Sequence, residues 1–168
     1  QQLQLEIEQV KYLAYETELS KKQAEILAYR SQINPHFLYN TFECIRDMAL
    51  FYDVDDIAEL TMALSNVFRF AVKGTDMVTV ENELDHIREY AKIINYRFMG
   101  KIRIEIDAEN AILNCKVFKL LLQPLVENAV EAAVETKQDG KVVVRSYERL
   151  DCFAIQIVDN GNGVSPVK

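Results

Sequence analysis

The hydrophobic period of this 168-residue chain changes at Gly100. Before it, apolar residues recur every three or four positions. After it, Ile102, Ile104 and Ile106 alternate with Arg103 and Glu105. The first pattern buries a stripe of a helix and the second buries one face of a strand. A chain carrying both is neither a pure helical bundle nor an all-β fold. Five Gly and three Pro are also too few for a turn-rich β architecture. The expected class is α+β, with an all-helical first half and a second half that mixes helices with a small sheet.

Residues 3–31 read as one long helix. Leu3, Ile7, Val10, Ala14, Thr17, Lys21, Ala24, Ala28 and Ser31 fall on alternating steps of four and three, a heptad seam that is strongly apolar only in its first half. An amphipathic helix packed on its own domain and a dimeric coiled coil both fit this pattern. The seam begins in mid-pattern, so the helix is expected to continue one that starts upstream. Asn34-Pro35 breaks or kinks it. A second helix follows at 35–50. After an acidic turn, Asp55 or Asp56 is expected to cap a third. Residues 73–76 read as a linker. Thr79 is expected to cap a helix that Gly100 stops. A strand at 102–106, a helix over 117–135 with Pro124 inside it, and strands at 142–144 and 153–159 complete the pattern, with a turn at 148–151. The domain boundary is expected within 73–79.

Charge and cysteine usage narrow the function. A net charge of −7 leaves no basic face, so nucleic-acid binding is disfavoured. Cys44, Cys115 and Cys152 are odd in number and form no CxxC pair, which disfavours zinc and disulfides and suits a reducing cytosol. No apolar run approaches 18 residues, so no span is expected within this sequence.

Three stretches can carry chemistry. In Asn34-Pro35-His36-Phe37-Leu38-Tyr39-Asn40, a histidine follows a kinking proline and Asn40 lies one turn on, within amide reach of the imidazole. A neutral imidazole is a good nucleophile near pH 7 and accepts phosphoryl groups. A structural histidine packed among aromatic neighbours fits the same residues. In Leu122-Gln123-Pro124-Leu125-Val126-Glu127-Asn128-Ala129, Glu127 and Asn128 interrupt an apolar helix. They are either a solvent-facing edge or partners of a metal ion and phosphate. In Asp159-Asn160-Gly161-Asn162-Gly163, glycines at a strand end permit close backbone approach to a ligand, and Asp159 can accept a hydrogen bond from a base amine. A plain turn fits equally. His86 reads as a surface residue.

In order and spacing, these stretches resemble the LytS/YesM-type sensor histidine kinases. Residues 32–40 resemble their phosphoacceptor box, residues 122–129 the N box of their ATP-binding domain, and residues 159–163 the G1 box. Glu83-Leu84, Tyr90 and Arg97-Phe98 match the helix before the first strand. The resemblance implies a helical signalling, dimerisation and phosphotransfer region at 1–74, forming a helical bundle in the homodimer. It implies an ATP-binding α/β sandwich of the type shared with gyrase and Hsp90 at 77–168, here incomplete before the lid and second glycine box. ATP with Mg²⁺ would phosphorylate His36, and the phosphoryl group would pass to an aspartate of a response-regulator receiver domain. Asn40 would orient His36 or a phosphatase water. Asn128 would hold the Mg²⁺ and touch the phosphates, with Glu127 beside them. Asp159 would bond the adenine amine, and Gly161 and Gly163 would shape the pocket. The chain would be the cytoplasmic portion of a bacterial protein anchored in the inner membrane through an upstream segment.

The chain departs from that pattern after the N box. Members usually carry Lys-His-Gly or similar there, whereas this chain has Glu131-Ala132-Ala133, replacing cations near the phosphates by a carboxylate. Phe37 after the phosphoacceptor leaves the general base unidentified. These features, with the missing lid, motivate an alternative: a degenerate dimeric signalling scaffold that binds nucleotide weakly.

Overall fold

The computed structural model describes residues 34–135, 139–150 and 152–163, together with Glu18 and Lys21, which are both helical. The rest of the heptad run at 3–31 lies outside the described residues. The chain divides into two compact units, residues 1–39 and 40–168.

Asn34, in the first unit, sets up the start of α1 (Pro35–Phe51), a helix whose residues from Asn40 on belong to the second unit. Its side-chain Oδ1 accepts from the backbone N–H of His36 at 3.1 Å and of Phe37 at 3.2 Å. Its carbonyl accepts from the Leu38 N–H at 3.3 Å. Pro35 takes the first helical position, where a missing N–H costs nothing. The Asn-Pro pair is thus a helix start that places His36 in the first turn.

The second unit contains α2 (Asp55–Val72), β1 (Met77–Thr79), α3 (Val80–Arg97), β2 (Ile102–Ala108), a 3₁₀ turn (Asn110–Ile112), β3 (Lys116–Phe118), α4 (Gln123–Val134), β4 (Gly140–Glu148) and β5 (Phe153–Asp159). In the main sheet β4 is central, parallel to β2 and antiparallel to β5. The short strands β1 and β3 pair separately and antiparallel, Val78 opposite Val117. The mixed α/β character agrees with the period change at Gly100.

One face of the sheet carries the core. Val142 and Val144 of β4 are fully buried, with Leu84 and Ile87 of α3 and Val126 of α4. Burial of side chains this size stabilises by about 1.5–3 kcal/mol each. The alternation of Ile102, Ile104 and Ile106 turns these residues onto that face, while Arg103 and Glu105 stay exposed. Helix α2 packs on α3 within the same unit. Tyr96 donates its hydroxyl hydrogen to Glu59 Oε2 at 2.6 Å, and the Asn66 amide donates to Glu89 at 3.3 Å.

Several local expectations change. Residues 117–122 are not helical. β3 is followed by a turn in which Leu120 takes a left-handed backbone (φ 60°), and α4 begins only at Gln123. Pro124 therefore sits at its N-terminus rather than inside it. Neither Asp55 nor Asp56 caps α2. The cap position is Val54, with no side-chain bond, and both aspartates lie in the first turn, where the helix dipole favours them. Thr79 does cap α3, in a reciprocal box with Asn82 at 3.2 and 3.3 Å. At the other end Met99 turns left-handed before Gly100, so the chain leaves the helix through two successive positive-φ residues. β4 extends on both sides of the expected 142–144.

Candidate functional site

The end of β5 and the outer face of α4 enclose a cavity of about 460 Å³. Ile155, Ile157 and Leu125 contribute apolar wall, and Asn128, Asp159 and Gly163 contribute the polar and backbone edge. The structure thus brings together three of the residues singled out in the sequence from stretches some 30 positions apart. Apolar walls with a few convergent polar groups suit a small organic ligand oriented by polar contacts.

The loop after β5 is built for this edge. Asn160 ties it to the start of β4: its Oδ1 accepts from the Lys141 N–H at 2.8 Å, and its side-chain amide donates to the Asp139 carbonyl at 3.0 Å. Asp159 Oδ1 accepts from the Gly161 N–H at 2.8 Å, which fixes the carboxylate and leaves its second oxygen as an acceptor. The two glycines serve different needs. A Cβ at Gly161 would lie 2.6 Å from Asp159 Oδ1 and 2.8 Å from both Cβ and the carbonyl oxygen of Ala132. Gly163 has open space around it but a φ of +69°. Ala132 and Ala133 gain a steric rationale here, because Ala133 stands in a similar close relation to Gly140, where a Cβ would lie 3.1 Å from the Ala133 Cβ. Small side chains after the N box let two backbone segments pack onto α4, while Glu131 is exposed.

Glu127 does not line the cavity. It is half-buried, and its Oε1 accepts from the Gln123 side-chain amide at 2.7 Å. Nearby, burial first and then the Glu127 charge push the Tyr90 phenol above its usual range, with Glu131 adding to the rise and Arg97 opposing it. His36 is exposed in the first turn of α1 and belongs to the other compact unit. Asn40, also on α1, lines a groove with Cys44 and Met48.

Two residues that support α4 were not recognised from the sequence. Glu83 is fully buried and accepts the backbone N–H groups of Leu120 at 2.6 Å and Leu122 at 3.0 Å, holding the left-handed turn before the helix. Its signal was available: Val80, Glu83, Leu84 and Ile87 fall on one helical face, so Glu83 stands inside the apolar stripe. His86 is not a surface residue. It is only 3% exposed, stacked on Phe70 with ring centroids 4.4 Å apart, and its Nε2 lies 2.7 Å from Gln123 Oε1.

Comparison with known proteins bears on what this arrangement is. A family model described as histidine kinase matches residues 24–102. The chain is 33% identical over 151 residues to the sensor histidine kinase YesM of Bacillus subtilis, covering 89% of this chain and 26% of that protein. It is 34% identical over 148 residues to the sensor protein LytS of the same organism, covering 86% and 25%. The sensor histidine kinase/phosphatase LytS of Staphylococcus aureus is 30% identical over 151 residues, covering 88% and 26%. The chain is a homologue of the LytS/YesM-type sensor histidine kinases. It spans about a quarter of the length of these relatives.

The residues present fit an ATP–Mg²⁺ complex better than a free metal ion. Among the described residues, no group of three or more His, Cys, Asp or Glu could hold a metal alone. Asn128 offers one neutral oxygen at the cavity edge, which suits Mg²⁺ delivered on phosphates and keeping most of its water. Among the described residues, no helix of this kinase homologue is long and apolar enough to cross a membrane.

Proposed function

We propose that this chain is the cytoplasmic core of a sensor histidine kinase that binds ATP between α4 and β5 and phosphorylates His36. The observation that carries this reading is the convergence of Asn128, Asp159 and Gly163 on one apolar-walled cavity. The free oxygen of Asp159 accepts from the adenine amine, and Ile155 and Ile157 flank the ring. Asn128 holds the phosphate end. Mg²⁺, held on the phosphates beside Asn128, would supply neutralisation of charge at the transferring group. Gly161 keeps the loop close to Ala132.

In the transfer, an imidazole nitrogen of His36 attacks the γ-phosphorus and forms an N–P bond. The bond from that phosphorus to the β,γ-bridging oxygen breaks, ADP departs, and the imidazole gives up a proton. Asn34 fixes the helix turn on which the nucleophile stands, and Asn40 has the role of orienting His36 or a phosphatase water. The phosphoryl group then moves to an aspartate carboxylate of a receiver domain and frees the imidazole.

We assign residues 1–74 to the helical signalling and phosphotransfer region, dimeric in the intact protein, and residues 77–168 to the ATP-binding domain, with 73–76 as a hinge. Gly74, at φ +100° with open space around it, is the residue that lets this segment turn. The parent protein is anchored in the membrane by a segment upstream.

Titration calorimetry on the full-length protein tests the binding half. Asp159→Ala is expected to weaken ATP and ADP alike by about tenfold or more, the loss of one charge-assisted hydrogen bond. Asn128→Ala is expected to weaken binding more when Mg²⁺ is present than when it is absent. Two variants binding like the wild type would contradict the assignment.

A further inference from the structure

Outside the cavity, one set of side chains joins three helices in a fixed order. Phe70 of α2 lies on the His86 ring of α3, the planes 23° apart. His86 Nε2 meets Gln123 Oε1 of α4 at 2.7 Å, and the Gln123 amide donates to Glu127 Oε1 at 2.7 Å. All four residues lie in the same compact unit.

The chemistry fixes the direction of every bond. A carboxylate only accepts, so the Gln123 NH₂ must face Glu127 and its carbonyl must face His86. A carbonyl also only accepts, so the hydrogen of the neutral imidazole sits on Nε2. Nδ1 is then a bare acceptor, and it is buried with no hydrogen-bond partner among the described residues. An acceptor left unpaired in a buried site has a cost, about 1–3 kcal/mol for a typical group. The opposite tautomer would put an N–H on Nδ1 with nothing to receive it and set two acceptors, Nε2 and the Gln123 carbonyl, against each other. The imidazole is therefore locked in one tautomer by a chain that ends one residue before Asn128.

We propose that His86 is a positioning residue for the N-box helix: through Gln123 it orients Glu127 and the first two turns of α4, and through Phe70 it ties that orientation to the seat of α2. Its value for nucleotide binding rests on the function proposed above. Its geometry does not.

The test therefore has two parts. These 168 residues contain two histidines, so a His36→Gln background isolates the ¹⁵N signals of His86 in the 168-residue chain. The wild-type arrangement is expected to give a protonated Nε2 and a bare Nδ1, and Gln123→Leu is expected to shift the proton toward Nδ1. An Nδ1–H tautomer, or a spectrum indifferent to Gln123→Leu, overturns the relay. In the full-length protein, MgADP affinity is then compared for two substitutions. His86→Phe keeps an aromatic ring against Phe70 but has no donor. His86→Gln loses the ring but supplies an amide donor near the Nε2 position. Positioning predicts about a tenfold loss for His86→Phe and recovery to within about threefold for His86→Gln. A purely structural role predicts the reverse order, because the aromatic substitution preserves the packing, and that order overturns the proposal. If the wild type itself fails to bind MgADP, the nucleotide reading falls, and the imidazole spectrum alone decides for or against the relay.

Discussion

Single side chains do unequal work around α4. Glu83 is the clearest case, a carboxylate with no exposed surface that receives two backbone N–H groups. Removing it leaves two donors without an acceptor, that of Leu122 buried and that of Leu120 half-buried. Glu83→Ala is expected to lower stability by about 2–4 kcal/mol in urea unfolding with an unchanged m-value, and Glu83→Gln by less, since one acceptor oxygen survives. Gly161 makes the opposite kind of point, because its requirement is space rather than backbone angle. Gly161→Ala pushes a methyl group into the Ala132 carbonyl and the Asp159 carboxylate. It is expected to cost about 1–3 kcal/mol and to weaken nucleotide binding with it, read by thermal shift with and without MgADP. If Gly161→Ala binds nucleotide as tightly as wild type, the loop is not part of the ligand seat. At this scale part of the cavity lining was legible: Asn128, Asp159 and Gly163 were named from the sequence and line one cavity. Gln123 and His86 were not recognised as partners, because they meet across 37 positions and no local pattern reports such a pairing. A histidine among charged neighbours such as Asp85 and Arg88 reads as solvent-facing until the residue that satisfies it is known.

Among elements, those with a long and regular apolar period were readable and those fixed by distant contacts were not. The stripe Leu84, Ile87, Ala91, Ile94 identifies α3, and Thr79 marks its start through a short-range capping box. β3 was lost because three residues are too few to express a period, and the apolar run continues from it into α4. The break between them is set by the left-handed Leu120, held from 37 positions away by Glu83. The α2 cap was misplaced for a related reason. An aspartate near a helix start suits the capping site and the first turn alike, and here the backbone enters at Val54. A pair of substitutions separates the two roles. Thr79→Ala is expected to cost about 1 kcal/mol, the loss of a true cap. Asp55→Ala is expected to cost only a few tenths, about 0.3–0.5 kcal/mol of dipole interaction, and to fade in high salt. Equal losses in chemical denaturation would contradict the assignment.

Across the whole molecule, phosphoryl transfer demands positioning and charge neutralisation rather than covalent help from the protein. For the function proposed above, the net charge of −7 and the exposed Glu131 would make that demand heavier, and the cation is expected to arrive with the nucleotide. His36, the nucleophile proposed above, and the cavity lie in different compact units, and the proposed transfer needs the two to meet. The most direct measurement incubates the full-length protein with Mg²⁺ and γ-labelled ATP, alongside His36→Gln. The account predicts an acid-labile, base-stable label on the wild type that disappears from His36→Gln and is lost when Mg²⁺ is chelated. A label that survives His36→Gln, or an intact protein that binds ATP and never becomes labelled, would contradict it.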